Sequence, residues 1–156
     1  MILTTNEKIK DYTENGWWGT KTVLHYLQQF VESSPTKKAV VDPLNKATLC
    51  NTLSFSLTYE QLQQKIDQVA SALHEQGIGK DDIVAIQLPN VVELVVSYFA
   101  ILKVGAISSP IPIQYREFEC LQLLQALNAK AVVTMQQIND RQYADMYAQL
   151  QVQVPS

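Results

Sequence analysis

Three short apolar runs, Ile83–Leu88, Ala106–Ser109 and Ala131–Thr134, follow one another with a single helical pattern between each pair. Parallel neighbours need a crossover of about a dozen residues or more, which a two-residue turn cannot supply. One helix between successive strands meets that need, and such crossovers are nearly always right-handed. The spacing therefore predicts an α/β domain with a mostly parallel sheet and crossover helices. The first crossover, Val91–Val104, is apolar on every face, with Asn90 as its expected cap and Gly105 as its stop. A helix with no polar stripe is expected to be covered on both sides. It carries Glu93, Ser97 and Lys103 and falls short of the roughly 20 apolar residues that cross a bilayer. The second crossover, Glu117–Leu127, places Leu121, Leu124 and Leu127 on one stripe.

The first half of the chain has a different texture. Residues 1–19 show no sustained period and read as an irregular arm, in which Trp17 and Trp18 are expected to pack on something. Residues 20–156 read as the α/β unit itself. Val23, Leu24, Leu27, Phe30 and Val31 recur at helical spacing after Thr20 or Thr22, and Pro35 follows. Ala39–Val41 reads as a short buried strand, Leu44–Ser54 as a loop and Ser54–Leu57 as a second strand. Thr58 and Gln61 have the spacing of a capping box. Leu62, Ile66, Val69 and Leu73 then form an apolar stripe that ends at Gly77-Ile78, a left-handed stop with its apolar partner. A weaker helix is expected over Tyr143–Leu150.

Composition excludes several classes. At 156 residues and 17.6 kDa, folding can bury about two thirds of the extended surface, enough for a core without staples. A net charge of −3 leaves no basic surplus for phosphates, so nucleic acid is not an expected partner. Cys50 and Cys120 stand far apart and belong to no metal-spaced group. They fit two reduced thiols in a cytoplasmic protein, or one disulfide. The polar start of the chain lacks the apolar core of a signal peptide.

Most motifs fail on chemistry. Gly16–Thr22 puts Thr20 before Lys21 and has no strand ahead of it, so it is not a phosphate loop. Gly77-Ile78-Gly79 lacks the third glycine and precedes a strand where a dinucleotide fold needs a helix. His25 and His74 are isolated, Asp81 and Asp82 read as turn residues, and Cys120 lies in a leucine-rich helix as a small apolar group. No catalytic or metal residue is assigned. The segment Ser108–Arg116 differs, because it leaves the carboxyl edge of the sheet, where open α/β sheets bind ligands. Two prolines stiffen it. Tyr115 offers an aromatic face and Arg116 a bidentate donor for phosphate or carboxylate, against the alternative of a rigid connector with an ordinary surface arginine.

Read together, these segments resemble a known family. Leu57–Leu62 (LTYEQL) is similar to the first signature of the adenylate-forming enzymes: acyl-CoA synthetases, aryl-CoA ligases and the adenylation domains of peptide synthetases. Ile101–Pro112 (ILKVGAISSPIP) resembles their second, LKxGAxxxPxxP, and Ala72–Ala100 resembles the stretch that joins them. The Gly16–Gly19 sequence (GWWG) and the run Pro112–Glu117 resemble the branch of medium-chain fatty-acid, cyclohexanecarboxylate and dihydroxybenzoate ligases. The likeness covers about Gly16 to Thr134.

The resemblance implies a parent enzyme that converts a carboxylic acid and ATP to an acyl adenylate and pyrophosphate. A thiol, usually that of coenzyme A, then displaces AMP. ATP, Mg²⁺ and coenzyme A are the cofactors and substrates so implied. The family's phosphate loop, its Mg²⁺-binding glutamate, its ribose-binding aspartate and its mobile C-terminal lysine have no counterpart in this sequence. The resemblance therefore implies an N-terminal fragment, the first part of the large N-terminal domain, with no adenylation activity alone and no bound cofactor. Tyr115 and Arg116 become candidates for the substrate or coenzyme A side. The alternative function is a standalone α/β binding or scaffold module, self-associating through uncovered apolar surface or a sheet edge.

Overall fold

A computed structural model describes residues 4–151, so the first three residues of the expected arm and residues 152–156 of the expected α/β unit lie outside the described residues. The arm is not irregular: α1 spans Asn6–Glu14. Thr5 Oγ1 accepts from the Lys8 N–H, which supplies the N-cap. Trp17 and Trp18 do pack, but within the arm, with their rings 5.7 and 5.1 Å from that of Tyr12.

Helix α2 (Val23–Ser33) starts at Thr22, whose hydroxyl accepts from the His25 N–H. Strand β1 (Lys38–Val41) pairs antiparallel with β2 (Ser56–Thr58). β1 is not the buried strand expected, since Lys38 and Val41 face solvent. The expected loop between the two strands contains a short helix, α3 (Lys46–Cys50). α4 (Tyr59–Glu75) carries the full capping box: Gln61 N–H donates to Thr58 Oγ1 and Thr58 N–H to Gln61 Oε1. It ends as the sequence suggests, with Gly77 at φ +78 and the Ile78 N–H reaching the Leu73 carbonyl.

Strands β3 (Ile83–Gln87), β4 (Ile107–Pro110) and β5 (Ala131–Thr134) form the parallel sheet in the order β4-β3-β5. Helices α5 (Val92–Lys103) and α6 (Glu117–Leu127) are the crossovers. A two-residue hairpin pair, β6 (Gln137–Ile138) and β7 (Arg141–Gln142), precedes α7 (Tyr143–Gln151). The sequence did not reveal it, because two-residue strands show no period.

The alternation of β3 organises the layers. Val84 and Ile86 face one side with Ile101 of α5, while Ala85 faces the other with Cys120 and Leu124 of α6 and Tyr143, Tyr147 and Leu150 of α7. The opposite face of α5, through Val92, Val96 and Ala100, packs on Leu62, Ile66 and Ala70 of α4 and Leu27 of α2. α5 is thus sandwiched between α4 and the sheet, which accounts for its all-round apolar sequence. Burying side chains such as Ile66 and Ile101 contributes about 1.5–3 kcal/mol each.

Asn90 is not the cap of α5. The first turn is closed by Asp42, whose Oδ1 accepts from the Val92 N–H at 2.7 Å. A carboxylate there also meets the positive end of the helix dipole.

Candidate functional site

The carboxyl ends of β3 and β5 carry two concavities. The smaller, about 160 Å³, is lined by Tyr115, Glu117, Arg141, Gln142, Tyr143 and Met146. Its rim follows from the stiff segment after β4. The Ile111 N–H continues the sheet pairing to the Ile86 carbonyl, and the Tyr115 N–H closes a turn on Pro112. Beneath lies Gln87, fully buried at the end of β3. Its Nε2 donates to the carbonyls of Pro112 (2.8 Å) and Tyr115 (3.3 Å), while its Oε1 accepts from Tyr147 Oη at 2.6 Å. Cys120 completes the group, with its Sγ 3.4 Å from that hydroxyl. Burial pushes the Cys120 thiol and the Tyr147 phenol above their ordinary values, so both stay neutral donors. A lone glutamine inside an apolar strand was the signal for this hub.

Of the two residues singled out in the sequence, Tyr115 lines this concavity and Arg116 lies beside it as the N-cap of α6. The Arg116 N–H donates to Glu119 Oε2 at 3.0 Å. Burial raises the Tyr143 phenol and the Arg116 guanidinium pulls it partly back. Arg141 is the residue missed. The chain has only two arginines, and the β6–β7 hairpin brings the second to the same concavity as Tyr115.

The larger cavity, about 540 Å³, lies between α4, α5 and the segment from Cys50 to Leu57, past the ends of β3 and β5. Its wall holds an ion cluster. Lys46 is completely buried and donates to Asp42 Oδ2 (2.7 Å) and to Glu93 Oε1 and Oε2 (2.6 and 2.8 Å). Its ammonium also lies 4.1 Å from the centroid of the Phe55 ring. Burial alone raises the Asp42 carboxyl, but bonds from Lys46, Val92 N–H and Phe55 N–H outweigh it and hold the group below its usual range. At Lys46 desolvation is overcome by its bonds to Asp42 and Glu93, which raise its ammonium. Asp42 thereby ties the end of β1, the Phe55 backbone, α3 and the start of α5 together.

The N-terminus of α5 already holds the Asp42 carboxylate, and that of α6 carries Glu117 and Glu119. Both therefore repel the phosphates that a bare helix N-terminus attracts. No group of three or more His, Cys, Asp or Glu side chains suited to a metal occurs among the described residues. Nor is any helix there long and apolar enough to cross a membrane. Cys50 and Cys120 are both free and buried.

The family model described as AMP-binding enzyme matches residues 27–155. Over 156 residues the chain is 32% identical to the medium-chain fatty-acid–CoA ligase of Escherichia coli, covering 99% of this chain and 26% of that protein. It is 34% identical over 94 residues to the vibriobactin-specific 2,3-dihydroxybenzoate-AMP ligase of Vibrio cholerae, covering 60% of this chain and 16% of that one. Among solved structures, the inhibitor-bound N-terminal domain of FACL13 from Mycobacterium tuberculosis superposes with a TM-score of 0.60 at 29% identity, over 68% of this chain and 25% of that one. The chain thus spans about a quarter or less of the length of the proteins it matches.

Proposed function

The chain belongs to the AMP-binding enzyme family, and from that premise we propose that it forms the N-terminal portion of an ATP-dependent acid–thiol ligase. The parent enzyme activates a fatty or aryl carboxylic acid as its acyl adenylate and passes the acyl group to a thiol, usually that of coenzyme A. The observation that carries this reading is the likeness to a medium-chain ligase along 99% of the chain. A cytoplasmic location fits it, since both thiols are free and buried.

The chain alone lacks adenylation activity in this reading, because the family's phosphate loop has no counterpart in its sequence. Purified chain incubated with ATP, labelled pyrophosphate and a panel of fatty and aryl acids is expected to show no exchange. Acid-dependent exchange above background overturns that part of the proposal.

Tyr115 and Arg116 are assigned to the side that meets substrate or coenzyme A. The support is their position at the carboxyl edge of the sheet, beside a concavity that also holds Arg141. Calorimetric titration of the chain with coenzyme A tests it: Arg116→Ala is expected to weaken binding, and equal binding by the two proteins removes the assignment. A second reading, a self-associating scaffold module, draws on exposed apolar surface: Leu44 is 100% and Leu53 85% exposed.

A further inference from the structure

The larger cavity has a charge imbalance at its wall. Asp42 and Glu93 are two carboxylates around one ammonium, and Lys46 has all its protons committed to them. Both oxygens of Asp42 are also taken, by the Val92 N–H on one side and by Lys46 and the Phe55 N–H on the other. Two carboxylates and one ammonium leave the cluster one net negative charge, and of the two carboxylates only Glu93, with its side chain 35% exposed, lines the cavity and can present that charge to a ligand. Cys50 on the same wall registers the field: burial raises its thiol first, Glu93 and Asp42 raise it further, and Lys46 opposes them. The remaining lining is largely apolar, with Val92, Val96, Leu88, Val133 and Met135. The cation in the lining itself is Lys65; it is exposed, bonded to Gln68 Oε1 at 3.2 Å, and screened by water and salt. A volume of about 540 Å³ suits a small organic ligand, for which sites of about 300–1,000 Å³ are usual.

We propose that this cavity binds a small apolar organic cation of the alkyl- or arylalkyl-ammonium class, its nitrogen on Glu93 and its stem against Val96, Val133 and Met135. The site is separate from the Tyr115–Arg116 concavity and does not depend on the catalytic reading. A carboxylate of the same shape is rejected, because its charge meets Glu93 in a partly desolvated cavity. A neutral alcohol keeps the apolar contact and loses the ion pair.

The test is calorimetric titration of the 156-residue chain with n-hexylammonium, n-hexanol and hexanoate, with methyl chemical shifts recorded in parallel. Hexylammonium is expected to bind at least about tenfold more tightly than hexanol, as a charge-assisted bond implies, and hexanoate not at all. The shifts of Val96 and Val133 should move. Glu93→Gln should weaken the ammonium to the level of hexanol. Thr52→Trp, at an exposed position of the lining, fills part of the cavity without touching the ion cluster or the core and should abolish binding while the chain stays folded. Lys65→Gln should leave ammonium binding intact or strengthen it. The proposal is overturned if hexanoate or hexanol binds as well as hexylammonium, if hexylammonium shows no binding, or if its binding survives Thr52→Trp.

Discussion

Lys46 shows how much of this molecule turns on single buried charges. It has no exposed surface, and its ammonium joins α3 to the end of β1 and to α5. Removing one member of such a cluster leaves the others uncompensated, at a cost of about 3–5 kcal/mol. Lys46→Met is therefore expected to lower the unfolding free energy by that amount in urea titrations. A loss below about 1 kcal/mol sinks the claim that the cluster is energetically coupled. The same residues set a pH dependence. Asp42 is held below its unfolded value, so its contribution is fully present above about pH 4 and is lost as pH falls through the lower folded value. Lys46 is raised, so its contribution is present below its unfolded value and is lost only in strong alkali. Stability should thus fall as the pH drops below about 4, and fall less in Asp42→Asn; an equal acid loss in parallel titrations of the two proteins would refute this. Little of the cluster was legible in the sequence. Asp42 and Lys46 stand four apart, but in a stretch that reads as loop, and nothing in the pattern points from there to Glu93.

Elements were legible where their signals are local. The Thr58 capping box and the Gly77-Ile78 stop each involve neighbours within a few residues, and both formed as read. The spacing of β3, β4 and β5 was equally readable, since one helix per strand is a constraint on chain order. The start of α5 was not. Asn90 is the right residue type in the right place, yet the Val92 N–H is taken by Asp42, which lies 50 residues earlier. Tertiary contact displaced the local cap, and the β6–β7 hairpin escaped notice for a related reason: its register comes from its neighbours and not from its own two-residue strands. This gives a paired prediction. Thr58→Ala should cost about 1 kcal/mol, the usual loss of an N-cap. Asn90→Ala, at an exposed position, should change stability by no more than about 0.5 kcal/mol. A larger loss at Asn90 than at Thr58 in chemical denaturation would restore the local cap and remove the tertiary one.

At the scale of the whole molecule, two features point outward. Among the described residues the sheet has three strands in the order β4-β3-β5, which leaves β4 and β5 as its edges there. β4 ends in Pro110, which has no N–H to offer a neighbour. β5 contains neither proline nor lysine and is the more open edge. The surface adds Leu44 and Leu53, which flank α3, together with Trp17 at 69% exposed. Exposed apolar side chains of this kind favour association, because covering them in a second molecule removes them from water. The chain should therefore show a light-scattering mass that rises with concentration. Replacing Leu44 and Leu53 together with serine removes apolar surface at positions too exposed to support the core. That double variant should unfold at the same denaturant concentration but associate less. If it associates as strongly as the parent, the leucine patch is not the contact and the β5 edge remains as the surface that pairs. A chain that stays monomeric at every concentration excludes both.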